Sequence, residues 1–136
     1  MTRVCLDSNV WVAAFAARGL CADLLALVLA EYALVVPEVV AEEVRRVLTI
    51  KLHVTDAATS SAEAVFDRCE FVPRGTDPSP TAVRDPDDER VLADAFAGGA
   101  EILVSGDGDL LAVAAESPIR ILSPRAFITL ARGGTP

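Results

Sequence analysis

Four acidic positions, far apart along the chain, stand where apolar runs end or on the inner side of helical patterns. Val4-Cys5-Leu6 runs straight into Asp7, with Ser8 and Asn9 behind it. Ile102-Leu103-Val104 runs into Ser105-Gly106-Asp107-Gly108-Asp109. Between them lie Glu43, in Ala41-Glu42-Glu43-Val44, and Asp88, in Asp85-Pro86-Asp87-Asp88-Glu89. Carboxylate oxygens are hard ligands suited to divalent cations such as Mg²⁺. A group of them converging on one place could hold one or two ions and hydrolyse a phosphate ester.

Each acid also has an ordinary explanation. A carboxylate that ends a buried strand is costly to desolvate unless it is paired or bound to a cation. Asp7 could instead cap the next helix, although Ser8 or Asn9 would serve that purpose as well. In the helix after Pro37, Val39, Val40, Val44, Val47 and Leu48 mark the buried face. Glu43 lies four residues from Val39 and from Val47, on or beside that face, whereas Glu42 groups with Glu38, Arg45 and Arg46 on the wetter side. Glu43 is therefore the candidate ligand, and a plain surface charge is the alternative. Acids in a first helical turn are favoured by the helix dipole, which accounts for some of residues 85–89. Asp88 shares a face with Val91, Leu92 and Ala95 and should point to the sheet, Asp87 should face water, and Asp85 sits at the N-cap with the pocket in reach. Gly106 and Gly108 let Asp107 and Asp109 turn back into a cleft. The segment is too short for a calcium-binding loop, and an Asx turn is the alternative.

The elements that must position these acids alternate between strand and helix. Strands are expected at Arg3–Asp7, Ala33–Val36, Glu70–Val72, Ile102–Ser105 and Arg120–Leu122. Helices are expected around Val10–Ala17, from Gly19 to about Glu31, from Pro37 to Leu48, over Asp56–Asp67, from Pro86 to Gly98-Gly99, and after the Ser123-Pro124 cap to about Leu130. Pro73–Arg84 holds three prolines and a glycine and reads as a loop. Such alternation implies a parallel sheet covered on both faces, a three-layer α/β domain. Ligands in such folds bind at the carboxyl ends of the strands. Residues 1–131 are expected to form one domain, with 132–136 fraying.

Composition narrows the function. The chain has 136 residues, 52% of them hydrophobic, enough for a core and too apolar for disorder. Val10–Ala17 stops at Arg18, far short of the roughly 20 residues of a bilayer span. No membrane segment or secretory signal is expected, and a cytoplasmic protein is. Cys5, Cys21 and Cys69 lack metal-site spacing and read as buried reduced thiols. His53, the single histidine, falls in a polar connection, which disfavours histidine triads and zinc sites. The net charge of −8 argues against a nucleic-acid partner unless cations bind; two divalent ions would halve it.

At these acids the chain resembles the PIN-domain ribonucleases over nearly its whole length. Val4-Cys5-Leu6-Asp7-Ser8-Asn9-Val10 is similar to the family's first strand with its leading Asp. Glu43 matches the second acid and Asp88, in Arg84–Leu92, the third. Val104-Ser105-Gly106-Asp107-Gly108-Asp109 matches the fourth. The Asp-Pro-Asp-Asp and Ser-Gly-Asp segments are most similar to the branch of toxin components of toxin–antitoxin pairs (VapC-like). This resemblance implies a Rossmann-like sheet of order 3-2-1-4-5 and an Mg²⁺- or Mn²⁺-dependent endoribonuclease. It also implies an antitoxin that blocks the cleft, and a homodimer.

On this reading Asp7, Glu43, Asp88 and Asp107 are catalytic, and with Asp85 and Asp109 they hold one or two ions for in-line hydrolysis of RNA. Ser8, Asn9 and Ser105 give polar support, and Arg45, Arg46 and Lys51 are the best local basic group for the RNA backbone. A dehalogenase-like or receiver-like phosphoryl-transfer domain would want a second Asp where Asn9 stands, or a lysine at a strand end. A PIN-like module that acts only by binding protein or RNA is the non-enzymatic alternative.

Overall fold

The computed structural model describes residues 1–51 and 56–134, without the side chains of Lys51 and Ala58; His53 lies outside the described residues. Five strands form the sheet: β1 (Arg3–Leu6), β2 (Ala33–Pro37), β3 (Glu70–Val72), β4 (Ile102–Val104) and β5 (Arg120–Leu122). Their order is β3-β2-β1-β4-β5 and every pairing is parallel, as the alternating pattern predicts. The helices are α1 (Ser8–Ala16), α2 (Leu20–Glu31), α3 (Glu38–Arg46), α4 (Asp56–Phe66), α5 (Pro86–Ala97), α6 (Gly108–Leu111) and α7 (Pro124–Ala131). Val4, Cys5 and Leu6, and Ile102, Leu103 and Val104, are all buried, so both faces of the central strands are covered.

The register sets the site. Leu6 pairs with Val104 across β1 and β4, and the Asp7 amide donates to the Val104 carbonyl at 2.9 Å. Asp7 and Ser105 therefore leave the sheet side by side. Here the strand order reverses, since β2 and β3 extend from β1 on one side and β4 and β5 on the other. That is the crevice in which doubly wound sheets bind ligands.

Below the crevice, fully buried Trp11 on α1 packs edge-on to Phe66 of α4 (4.8 Å between centroids) and stacks on Phe15 (6.2 Å). This fixes the first helix on the sheet. α5 ends at Gly98-Gly99: a Cβ on Gly98 would stand 2.6 Å from the Val72 methyl, and Gly99 has φ +78°. The glycine pair lets the helix stop flush against β3.

Several boundaries differ from expectation. Pro37 ends β2 and caps α3 rather than starting the helix, because its φ of −64° suits both states and its ψ of 144° is extended. The α-helix stops at Arg46, not Leu48, and continues as a π-helical turn over Val47–Lys51. Thr49 Oγ donates to the Arg45 carbonyl at 2.6 Å, competing with the regular ladder. β1 ends at Leu6 and β4 at Val104 because Asp7 and Ser105 begin the turns into the next elements. α6 starts directly after the turn that follows β4; Asp107 caps it and buried Leu110 anchors it. Gly133, at φ +82°, donates to the Leu130 carbonyl and Gly134 to that of Thr129, closing α7 in a Schellman turn. Thr135 and Pro136 lie outside the described residues. Among the described residues no single helix is long and apolar enough to cross a membrane.

Candidate active site

An open cleft of about 600 Å³ lies at the carboxyl ends of β1 and β4, between the starts of α1, α3 and α5. Seven carboxylates line it, among them Asp7, Glu43, Asp85, Asp88 and Asp107, against three guanidiniums, those of Arg46, Arg74 and Arg90. Ser8 and Asn9 line it as well. The wall thus carries four more negative charges than positive ones. An oligoanion can settle there only if cations compensate.

Asp7 is the most enclosed of the acids that line the cleft, 3% exposed. Its Oδ1 accepts from the Ser8 amide at 2.8 Å, capping α1. Its Oδ2 accepts from Ser105 Oγ at 2.7 Å and from Asn9 Nδ2 at 3.5 Å. Ser105 Oγ in turn accepts from the Asp107 amide at 2.9 Å, so one fully buried hydroxyl joins the first acid to the last. Burial drives the Asp7 pKa up, the bonds from Ser105 and Ser8 pull it down, and the nearby charges of Asp107 and Glu43 raise it again.

Asp85 and Asp107 repeat the capping pattern. Asp85 Oδ1 accepts from the amides of Asp87 (2.8 Å) and Asp88 (3.2 Å) at the start of α5, and Asp107 Oδ1 from that of Asp109 (2.8 Å) at the start of α6. A carboxylate has two oxygens, so capping and cation binding are compatible, and the ordinary explanation for these acids does not exclude the chemical one.

Asp88 shows how tightly the acids are gathered. Its pKa is pushed from 3.8 to about 7, by burial first, then by the charges of Asp107, Asp7 and Asp85, and by a hydrogen bond with Asp107. Among the described residues, Asp85, Asp88 and Asp109 each place an oxygen within 4.8 Å of the other two, close enough to ligate one ion. An all-oxygen donor set fits Mg²⁺ or Mn²⁺ and would be poor for zinc or copper.

Glu42 and Glu43 of α3 both line the cleft. Glu43 is close enough to raise the Asp7 pKa, and it is paired with Arg46 on the next turn. Glu42, half-exposed, also lines the cleft and pairs with Arg74 at 3.3 Å. Of the expected basic group, Arg46 lines the cleft. Arg45 does not: it forms two bonds to Glu63 (2.6 and 2.9 Å) and lies over the Phe66 ring at 5.5 Å. The Lys51 side chain is outside the described part. Arg74 and Arg90 were not foreseen. Arg74 follows the end of β3 by two residues, so its position at a strand's carboxyl end was the available signal. Cys5 is buried, with its thiol pKa raised by burial, while Cys21 and Cys69 are only half-buried; burial raises Cys69 to about 11. None of the three lines the cleft.

A family model described as PIN domain matches residues 3–109. No curated protein sequence matches the chain. Among solved structures the chain is similar to one from Rickettsia felis, described as VapBC2 bound to a DNA fragment from their promoter. The TM-score is 0.66 at 14% identity, over 90% of this chain and 98% of that one. At that identity the likeness speaks for the fold.

Proposed function

The chain belongs to the PIN-domain family, and from that premise we propose that it is an Mg²⁺- or Mn²⁺-dependent endoribonuclease, the toxin component of a toxin–antitoxin pair. One observation carries the reading: Asp7, Glu43, Asp88 and Asp107, from four separate elements, line a single cleft, where Asp107 and Glu43 help raise the Asp7 pKa and Asp107 and Asp7 that of Asp88. Acids with no shared ligand would be disfavoured at such proximity.

Asp85, Asp88 and Asp109 are the first choice for one ion, with Asp7, Glu43 and Asp107 completing the centre or holding a second. A cation held there supplies Lewis-acid chemistry, neutralising charge that grows on the phosphate and making a water more acidic. The chain's own residues prepare the place. Ser105 fixes Oδ2 of Asp7 and the backbone of Asp107 together, so the first and last acids keep their spacing. Asn9 Oδ1 accepts from the Gly106 amide at 3.4 Å and holds the 105–109 turn against α1. Asp88, whose pKa burial and the neighbouring acids raise to about 7, can release its proton when a cation binds beside it.

RNA as the substrate, a cognate antitoxin that covers the cleft, a homodimer and a cytoplasmic setting are parts of the same proposal, with residues 1–131 acting as one domain. The partner is supported by the likeness to a chain from a two-protein complex. The test is a Mg²⁺ titration of a labelled structured RNA. Cleavage that needs the ion and stops in EDTA is expected. Tight, metal-independent binding without cleavage would replace this reading with the binding-module one.

A further inference from the structure

Of the three guanidiniums in the cleft, Arg46 and Arg74 are about half-exposed and each faces a glutamate of α3. Arg90 is held differently. Its Nε and Nη2 donate to one oxygen of Asp94, at 3.0 and 2.8 Å, and Nη2 also donates to the Asp77 carbonyl at 2.9 Å. Among the described residues its Nη1 has no hydrogen-bond partner. The planar guanidinium is thus fixed from one edge.

Asp94 lies one turn further along α5, and its side chain is 1% exposed. Oδ1 takes the Arg90 bonds and a third from the Gly75 amide at 3.2 Å, while Oδ2 is buried without a partner. A buried pair of this kind contributes little to stability compared with apolar residues of the same size, and the orphaned oxygen makes it worse. Its structural effect is specific. A Cβ on Gly75 would come within 2.9 Å of Oδ1, so the strap leaving β3 lies directly on the carboxylate. The preceding residue, Arg74, donates its amide to Glu38, at the start of α3, at 2.9 Å. One buried acid therefore sets both Arg90 and the strap that carries Arg74.

We propose that Arg90 is a backbone-phosphate contact for single-stranded RNA in the cleft, and that Asp94 is the positioning residue that holds its guanidinium in place; the proposal rests on the nuclease reading. A cleft with this excess of carboxylates needs fixed positive groups where the nucleic acid leaves the cations. A guanidinium anchored through one edge presents the other to a phosphate without losing side-chain freedom on binding.

The test is fluorescence anisotropy of a labelled, mixed-sequence single-stranded RNA with the full chain in Mg²⁺, read before cleavage proceeds and at several salt concentrations, beside KM and kcat for cleavage. Arg90→Ala should weaken binding ~10-fold and raise KM to match, with kcat within about twofold. It should also lower the slope of log K against log salt by ~0.7, the value for one phosphate contact to a single strand. Arg90→Lys keeps the charge and should keep the slope while losing several-fold in affinity. Asp94→Asn should weaken binding in the parental chain and have no further effect beside Arg90→Ala, as a residue acting only through Arg90 must. Parental binding unchanged by Arg90→Ala, or an Asp94 effect that persists without Arg90, overturns this proposal and leaves the nuclease reading standing. RNA binding without cleavage by the parental chain overturns the nuclease reading alone, and no RNA binding at all overturns both.

Discussion

Replacing Asp88 by asparagine should make the cation-free protein more stable near pH 8, even though it removes a group the activity depends on. The Asp88 pKa rises from 3.8 to about 7 on folding. An acid raised in this way destabilises the folded state as pH climbs from its unfolded pKa, and the penalty is complete above the folded value. The window therefore runs from about 4 to just above 7. At about 1.4 kcal/mol per pH unit, the span sets an upper limit of ~4 kcal/mol. Asp88 is only half-buried, and solvent screening reduces the expectation to ~1–2 kcal/mol. For a chain of 136 residues this corresponds to a loss of ~3–8 °C in Tm between about pH 5 and pH 8. Asp7, also raised, acts in the same direction. Glu38 and Glu70, whose pKa values are lowered by their partners, act in the opposite sense and only at the acid end. The assay is thermal unfolding followed by circular dichroism in EDTA, for the parent and Asp88→Asn. The parent should lose stability towards pH 8, the variant should lose less and overtake it, and Mg²⁺ should restore the parent alone. A parental Tm in EDTA that is flat or rises to pH 8 would refute the reasoning.

Three further outcomes follow from the same geometry. Asp7→Asn should abolish cleavage with its circular dichroism spectrum unchanged, and raise the Tm in metal-free buffer; cleavage at the parental rate removes Asp7 from the centre. Glu43→Gln should impair cleavage severely and Glu42→Gln mildly, and the reverse order in initial rates would mean that the cleft reads the other face of α3. Ser105→Ala removes a bond to a buried carboxylate and orphans the Asp107 amide, so denaturant unfolding should show a loss of ~2 kcal/mol together with weaker Mn²⁺ binding; unchanged stability would show that the bridge is dispensable.

Much of this was legible in the chain because the strongest signals are local. Apolar runs of three or four residues ending in Asp7 and Ser105 gave the two central strands, and their parallel order follows from the helices between them. Ser123-Pro124, through a hydroxyl cap and a preset φ, and Gly98-Gly99, through backbone freedom, mark helix ends locally, and the structure keeps both. What escaped was set by tertiary path. Arg74 and Arg90 are ordinary arginines until the strap after β3 is laid across α5, and nothing near Asp94 says that it will be buried. Arg45, two residues from Glu43, looks like a cleft residue by proximity, yet Glu63 of α4 draws it away. The π-helical turn after Arg46 has no glycine or proline to announce it. α6 is too short to show a period, and its Asp107 cap is visible only once the acid's second role is known.

The central claim, that acids from separate elements jointly hold a divalent cation, is tested most directly by a crystal soaked in Mn²⁺ and measured for anomalous scattering. The account predicts a peak within coordination distance of Asp88, with oxygens of Asp85 and Asp109 around it and Asp7, Glu43 and Asp107 bordering the same density. A soaked crystal with no anomalous peak in the cleft, or with its peaks only elsewhere on the molecule, would contradict it.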